Sequence, residues 1–383
     1  MTLKASQRSA IESFIVMDVM RAANAREAHG EDVLHLEVGQ PSTRAPRKVL
    51  EAARDALTSQ LLGYTDAFGV PHLKEAIAGH YQTTYGVTID PARIAVTTGS
   101  SGGFVLAFLS AFDVGDRVAL ASPGYPAYRN ILKALGIDVV SINVGPETNY
   151  QPTPELLADI KGDIDGLIIA SPSNPTGTMI DAMGLKALAA YCDEQDIRLI
   201  SDEIYHGITY EAAAHSMAEY APDAFVVNSF SKYYAMTGWR LGWLIFPELL
   251  ARPIECLAQN LFISPPTLSQ IAAISAFDCE EELNASVARY KINRDLLLEE
   301  LPKAGFDKLS QAQGAFYIYA DVSHLTDNSL DFCKDILNAT GVAITPGVDF
   351  DPERGHHYVR FSFAGSTEDM RDATTRLYEY HHK

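Results

Sequence analysis

Ser229-Phe230-Ser231-Lys232-Tyr233-Tyr234-Ala235-Met236-Thr237-Gly238-Trp239-Arg240 follows the apolar run Ala224-Phe225-Val226-Val227. A lysine just beyond the end of a buried strand, flanked by small hydroxyl residues and rings, is placed to lose its proton. Partial desolvation and a neighbouring cation both disfavour the ammonium form. The neutral amine can then attack an aldehyde and form a Schiff base. Arg240 is close enough in sequence to be that cation, and Leu241-Gly242-Trp243-Leu244-Ile245-Phe246 reads as another strand. Taken alone, the stretch also describes two ordinary loop cations beside a glycine-rich turn.

Two other stretches break the tie. Ser171-Pro172-Ser173-Asn174-Pro175-Thr176-Gly177-Thr178 follows the strand-like Gly166-Leu167-Ile168-Ile169-Ala170, and Ser201-Asp202-Glu203-Ile204-Tyr205 follows Ile197-Arg198-Leu199-Ile200. Three strand ends thus present Asn174, Asp202 with Tyr205, and Lys232, in that order. In type, order and spacing the SNPTG, SDEIY and SFSK...GWR motifs match the class I/II aminotransferases of fold type I, which use pyridoxal 5′-phosphate. The sequence resembles this aspartate aminotransferase-like family from the segment before Gly39 to Arg360, and a joint match of three motifs is far more specific than any one of them.

Apolar runs at about 93–98, 118–122, 138–143, 166–170, 197–201, 224–228 and 241–246 read as strands separated by helical or loop segments. Such uninterrupted runs belong to a parallel sheet covered on both faces. Ligands of these sheets bind at the carboxyl ends of the strands, where Gly99, Asn174, Asp202 and Lys232 all fall. The fold class is α/β. The resemblance implies a large cofactor-binding domain over residues 46–282 with a seven-stranded, mostly parallel sheet. It also implies a smaller α+β domain formed by both termini, from a leading segment, 1–45, and residues 283–383. Helical spacing covers Ile11 to Ala28, and a long charged helix is expected from about Glu280 to Leu301. Ser264-Pro265-Pro266 breaks a helical stretch, Gly314 to Tyr319 and Val342-Ala343-Ile344 read as strands, and Pro346-Gly347 reads as a turn.

Arg93-Ile94-Ala95-Val96-Thr97-Thr98 is followed by Gly99-Ser100-Ser101-Gly102-Gly103, which opens a helix. A strand, a glycine-rich turn and a helix start form an anion site, because unpaired N–H groups and the positive end of the dipole point the same way. The GxGxxG fingerprint of dinucleotide binding is absent, which disfavours a nicotinamide dehydrogenase. The resemblance implies that the cofactor phosphate sits at Ser100, Ser101 and Gly102, anchored also by Ser229, Ser231 and Arg240 and reached by Tyr64 from the other subunit of a homodimer. It implies that Tyr125 stacks on the pyridine ring, a flat π-face against a flat cation. Asp202 would keep the ring nitrogen protonated. Asn174 and Tyr205 would hydrogen-bond the 3′-oxygen.

Gly39 would approach the substrate carboxylate through its backbone, a task for a residue without Cβ. Tyr358-Val359-Arg360-Phe361-Ser362-Phe363 alternates strictly, so Arg360 lies on the opposite face from Val359 and Phe361. The resemblance implies that Arg360, with Asn174, holds the α-carboxylate by a bidentate fork that lysine cannot supply. Pairing with a surface acid is the alternative open to such an arginine. With Lys232 shuttling a proton between Cα and C4′ and Asp202 and Tyr205 tuning the ring, the implied reaction is transamination between an L-amino acid and a 2-oxo acid. A β-lyase of sulfur amino acids would use the same anchors. Two positions depart from the family: Ser101 stands where aspartate-specific members often carry a lysine, and Pro346-Gly347-Val348-Asp349-Phe350-Asp351 lacks the usual final glycine.

Composition narrows the partners. A chain of 383 residues that is 47% hydrophobic can bury a large core. Its net charge of −19 leaves no clustered Lys and Arg for nucleic acid, so small anionic substrates must be captured by local cations. No run approaches the ~18 apolar residues of a membrane span, and Met1 to Ala10 is polar without a signal-peptide core, so a cytoplasmic protein that does not engage membranes is expected. Cys192, Cys256, Cys279 and Cys333 lack CxxC spacing, so neither a disulfide framework nor a metal site is expected. Cys192 shares helical spacing with Leu185, Leu188 and Ala189, as a core thiol does, and His381 and His382 read as a frayed terminus.

Overall fold

The computed structural model describes residues 3–382. The seven apolar runs form one sheet: β1 (Ile94–Thr97), β2 (Arg117–Ser122), β3 (Asp138–Asn143), β4 (Gly166–Ala170), β5 (Arg198–Asp202), β6 (Phe225–Ser229) and β7 (Gly242–Ile245). Their spatial order is β1-β7-β6-β5-β4-β2-β3. β7 runs against both β1 and β6, and the other pairs are parallel.

Strand alternation explains why these runs are apolar at every position. Val96, Leu167, Ile169, Leu199, Val226 and Trp243 join one core, while their neighbours Ala95, Ile168, Ile200, Phe225, Val227 and Leu244 join the core on the opposite face. Each large side chain removed from water in this way contributes roughly 1.5–3 kcal/mol before entropy is counted. Four helices bear on the site: α1 (Ile15–Ala28), α2 (Gly99–Ala111), α3 (Pro126–Leu135) and α4 (Glu280–Glu300). α2 buries Phe104, Leu106, Ala107 and Phe108 in the core that holds Phe225 and Val227, so its N-terminus is fixed against the ends of the central strands.

A second, antiparallel sheet is built from β8 (Lys308–Leu309), β9 (Tyr317–Asp321), β10 (Thr345–Pro346) and β11 (Tyr358–Ser362), in the order β10-β11-β9-β8. Its core contains Tyr290 and Leu297 from α4, Phe306, Phe361 and Leu377, together with Leu34 and Leu36 from near the chain start. Leu34–His35 pairs in parallel with Val342–Ala343, so both ends of the chain meet in this core.

The differences from expectation are local. α1 starts at Ile15 instead of Ile11. β9 starts at Tyr317 instead of Gly314, because Ala312 and Ala315 adopt φ of 46° and 56°, a left-handed backbone that a strand cannot pass through. His381 is not frayed: it ends the helix Thr367–His381 with its ring 5.3 Å from that of Phe306. Ser264-Pro265-Pro266 does separate two helices, Ala251–Leu261 and Thr267–Ile274. Cys192 is a buried core thiol. Among the described residues, no helix is long and apolar enough to cross a membrane.

Candidate active site

The strand register sets the site. Asp202 lies level with Ala170 and Val227, while Gly242 lies between Thr97 and Ser229. The loops that leave β1, β4, β5 and β6 therefore open on one edge of the sheet. There they surround a cavity of about 210 Å³ lined by Ser100, Asn174, Asp202, Lys232, Arg240 and Arg360, among others.

Lys232 occupies the middle of this cavity. Its Nζ donates to the Gly39 carbonyl at 2.7 Å and lies 5.8 Å from the centre of the Tyr205 ring. Burial pulls its ammonium down from the ordinary lysine value to about 8, assisted by the charge of Arg360 and, more weakly, of Arg240, against the pull of Asp202. The expected loss of basicity is present, but Arg360 outweighs the sequence neighbour Arg240 as the responsible cation. Asp202 moves the other way. Burial raises its carboxyl to about 6, opposed by hydrogen bonds from the Tyr128 hydroxyl and the Ile204 N–H and by the Lys232 charge.

The start of α2 forms the anion-favouring end. Its first-turn N–H groups, from Gly99 to Gly102, have no partners within the helix. Gly99 has φ +76°, and a Cβ there would come within 2.5 Å of Arg240 Nη2, so glycine lets the guanidinium lie over the helix start. Ser231 and Thr237 complete this side, with Thr237 donating to the Ser231 carbonyl at 2.9 Å.

Arg360 closes the opposite end and is 2% exposed. It donates through Nη1 to Asn174 Oδ1 at 2.8 Å and through Nη2 to the Glu37 carbonyl and to Thr345 Oγ1 at 3.2 Å, while Nε has no partner. The guanidinium is sandwiched between the rings of Tyr317 at 4.3 Å and Phe350 at 4.7 Å. Every hydrogen-bond partner is a neutral oxygen, which removes the surface-acid alternative. A buried cation left without a counter-charge is costly unless an anion arrives to complete it.

An amine poised near neutrality, a buried carboxylate and two separate anion-binding ends constitute a site for chemistry on a small anionic amine. The chain's relatives agree. The class I and II aminotransferase profile matches residues 31–377. The chain belongs to the class I and II aminotransferases. The valine–pyruvate aminotransferase of Mycobacterium tuberculosis is 52% identical over 381 residues, covering 98% of this chain and 98% of that protein. The crystal structure of an aminotransferase from Mycobacterium tuberculosis superposes with a TM-score of 0.97 at 51% identity, covering 99% of each chain. That of the Thermus thermophilus aspartate aminotransferase with maleate gives 0.93 at 32% identity, covering 99% of this chain and all of that one. This aminotransferase is thus an enzyme of the transferase class that moves an amino group between an amino acid and a 2-oxo acid, on the fold-type I scaffold.

Most residues singled out in the sequence meet at the cavity: Gly39, Ser100, Ser101, Tyr125, Asn174, Asp202, Tyr205, Ser231, Lys232, Arg240 and Arg360. Three do not line it. Gly102 is buried in the first turn of α2; Ser229 is buried behind the wall, donating to the Leu241 carbonyl at 3.0 Å; and Tyr64 is 84% exposed at the surface of this chain. Sequence reasoning missed Tyr128, which holds the Asp202 carboxylate, and Tyr317, whose hydroxyl meets that of Tyr205 at 2.8 Å and whose ring covers Arg360. It also missed Phe14, Val16 and Met17, at the start of α1, which line the cavity. Tyr128 was within reach: it lies three residues after Tyr125, on the same face of α3's first turn.

Tyr128→Phe tests the link between these groups. The phenol hydrogen bond favours the ionised Asp202, so its loss should raise the carboxyl further and move the acid limb of the kcat/KM profile to higher pH, leaving the rate above pH 8 nearly intact. An unshifted acid limb would dissociate Tyr128 from the charge state of Asp202.

Proposed function

We propose that this aminotransferase uses pyridoxal 5′-phosphate and transfers the amino group of a small, branched apolar L-amino acid to a short 2-oxo acid such as pyruvate. The observation that carries this reading is the buried Arg360, hydrogen-bonded to no carboxylate, in the cavity that also holds Lys232 and the α2 start. Its partnerless Nε and its neutral partners suit a carboxylate that arrives with the substrate.

The residues fit the cofactor. The α2 N–H groups, Ser100, Ser101, Gly102, Ser229, Ser231 and Arg240 suit its phosphate. Tyr125, turned edge-on to Tyr128 and Phe14, offers a ring against which a pyridine can stack. When bound, the cofactor supplies an electron sink for the bond that breaks at the substrate Cα. Asp202, anionic above about pH 6, would hold the proton on the ring nitrogen. Asn174 and Tyr205 would hydrogen-bond the ring oxygen. Lys232 would hold the cofactor covalently and, once displaced by the incoming amino group, would take the proton from Cα through its neutral Nζ and return it at C4′, across the nitrogen from Cα. Gly39, Asn174 and Arg360 would hold the α-carboxylate. A Cβ at position 39 would fall 1.7 Å from the Tyr317 hydroxyl, so no other residue lets that backbone approach.

The substrate side chain is inferred from the rest of the lining. Phe14, Val16, Met17, Val38 and Ile204 are apolar, and the lining's only cations are Lys232, Arg240 and Arg360. With Ser101 at the place where aspartate-specific relatives often carry lysine, a second carboxylate would be buried without a partner. The name of the 52% identical relative supports the same choice. The four free cysteines suit a reducing, cytoplasmic setting.

The working form would be a two-fold homodimer. Leu61 and Tyr64 are 97% and 84% exposed, and Ile263, a β-branched residue held at φ 66°, stands out beside them on a loop tied to Thr65 by Ser264. Such strain persists where function requires it. A partner's Tyr64 would then reach the cofactor phosphate.

Borohydride reduction of the loaded enzyme should place the pyridoxyl group on Lys232, and half-reactions followed by absorbance should favour valine over aspartate by on the order of 10²-fold in kcat/KM. Aspartate as the better donor would overturn the substrate assignment, and label on another lysine the mechanism. Arg360→Lys should weaken every amino acid donor by a similar factor, roughly 1.5–3 kcal/mol, while simple amines are unaffected; loss confined to aspartate would mean that Arg360 reads the side chain. Sedimentation at assay concentration should give a dimer, and Tyr64→Phe should weaken cofactor binding about tenfold without dissociating it. A fully active monomer would contradict this assembly.

A further inference from the structure

α1 has no N-cap of its own. Phe14 occupies the cap position, where its carbonyl accepts from the Met17 N–H at 2.9 Å but its side chain offers no acceptor, and the orphan N–H groups of Ile15 and Val16 instead donate to the carboxylate of Asp349, at 3.1 and 3.0 Å. Asp349 is fully buried and lies more than three hundred residues away in sequence, in the turn that departs from the family pattern. A carboxylate taking two helix N–H groups at the positive end of the dipole is a strong, charge-assisted cap.

The same turn is bound on its other sides. Arg129 of α3 donates to the Asp349 carbonyl at 2.6 Å, Gly124 N–H donates to the Phe350 carbonyl at 3.1 Å, and the Phe350 ring lies under Arg360. Asp351 replaces the usual glycine. Its carboxylate accepts from the N–H groups of Glu353 and Arg354 and pairs with Arg354 Nε at 2.8 Å, and Arg354 continues to the carbonyls of Ser122 and Val144 beside β2 and β3. The two acids therefore fasten the turn, Asp351, which stands where the family pattern has glycine, to the central sheet and Asp349 to α1. What α1 brings to the site is apolar: Phe14, Val16 and Met17 line the cavity, and the Phe14 ring packs edge-on to Tyr125 at 5.7 Å.

We propose that Asp349 is the positioning residue for side-chain selectivity, docking the start of α1 so that Phe14, Val16 and Met17 form the wall that accepts a branched aliphatic side chain. This rests on the substrate reading given above, but only for the identity of the side chain. The α-carboxylate is handled by Arg360 from the second sheet, and the reacting groups stand on the central sheet. The charge of Asp349 also reaches Arg360, but the α-carboxylate is common to all donors, so losing the cap should show in the ratio between donors more than in the chemical step.

The test compares Asp349→Ala, Asp349→Asn and Met17→Ala with the wild type, using valine and alanine as donors and amide hydrogen exchange of the α1 peptide in the enzyme without substrate. In Asp349→Ala the α1 amides should exchange on the order of tenfold faster, as loss of about 1–2 kcal/mol of capping requires. The preference for valine over alanine should fall by a similar factor through KM, with kcat for alanine nearly unchanged. Asp349→Asn retains an acceptor oxygen and should recover part of both effects. Met17→Ala should reduce the valine preference without accelerating exchange, and it decides the matter should the alanine variant at 349 fail to fold. Unchanged exchange in a folded Asp349→Ala would overturn the cap, and faster exchange with an unchanged donor ratio would overturn the role in selectivity. A wild type that prefers neither valine nor another branched donor would instead overturn the substrate reading, while the exchange result would still stand.

Discussion

Arg360 is a guanidinium taken almost wholly out of water and hydrogen-bonded to no carboxylate, with only the charge of the buried Asp349 within range, and the surrounding structure is arranged around that cost. Two aromatic faces cover it, three neutral oxygens take its protons, and its remaining nitrogen is left open. Arginine keeps its charge when buried, whereas lysine can shed a proton. In a cavity containing both, the lysine yields: burial, and after it the charge of Arg360, pulls Lys232 down to about 8. The device that would recognise a substrate carboxylate is thus also one that prepares the amine. An arriving carboxylate would cancel part of that field and return some basicity to Lys232, at the moment when the proposed mechanism needs a base.

Asp202 shows the opposite adjustment under the same physics. It is raised to about 6 while Lys232 is lowered to about 8, so the two groups carry opposite charges over only a narrow range. Its sequence neighbour Glu203, turned to the other side of the strand end, accepts from Ser201, Ser216 and the Met217 N–H, and burial raises it to about 8. A neutral Glu203 at pH 7 spares Asp202 a like charge next door. The pair of acids in the SDEIY motif is therefore divided in labour: one faces the cavity, and the other is sealed in a hydroxyl network behind it.

Much of this was legible in the sequence because the relevant physics is local. Seven apolar runs become seven strands, since a sheet buried on both faces requires apolar residues at every position, and chemistry-bearing residues just after those runs must then share one edge. Long-range partners were not legible. Nothing near Ile15 announces that its N–H will be capped by Asp349, and the spacing that puts Tyr128 beside Tyr125 does not name Asp202 as its acceptor; both pairings exist only once α1 and α3 are packed. The start of β9 was misjudged because left-handed alanines at 312 and 315 are imposed by tertiary contacts, not by any propensity of alanine. Arg240 was the natural cation for Lys232 on sequence distance alone. Spatially, Arg360 matters more, and its proximity comes from the second sheet.

Chemistry and selectivity are consequently anchored in different parts of the molecule. Lys232, Asp202 and the α2 start are fixed by the central sheet, whose interior tolerates little change because each strand residue serves one of two cores. The proposed side-chain wall hangs on the start of α1, whose first N–H groups are held by Asp349 of one turn. Substitutions in α1 and in that turn can alter what is accepted without disturbing the groups that react. Chains that keep the fold to a TM-score of 0.93 at 32% identity include an aspartate aminotransferase, while one at 52% identity is a valine–pyruvate enzyme. One scaffold thus carries one reaction with different side-chain preferences, and the proposal above puts this chain's preference at the start of α1 and the turn that docks it.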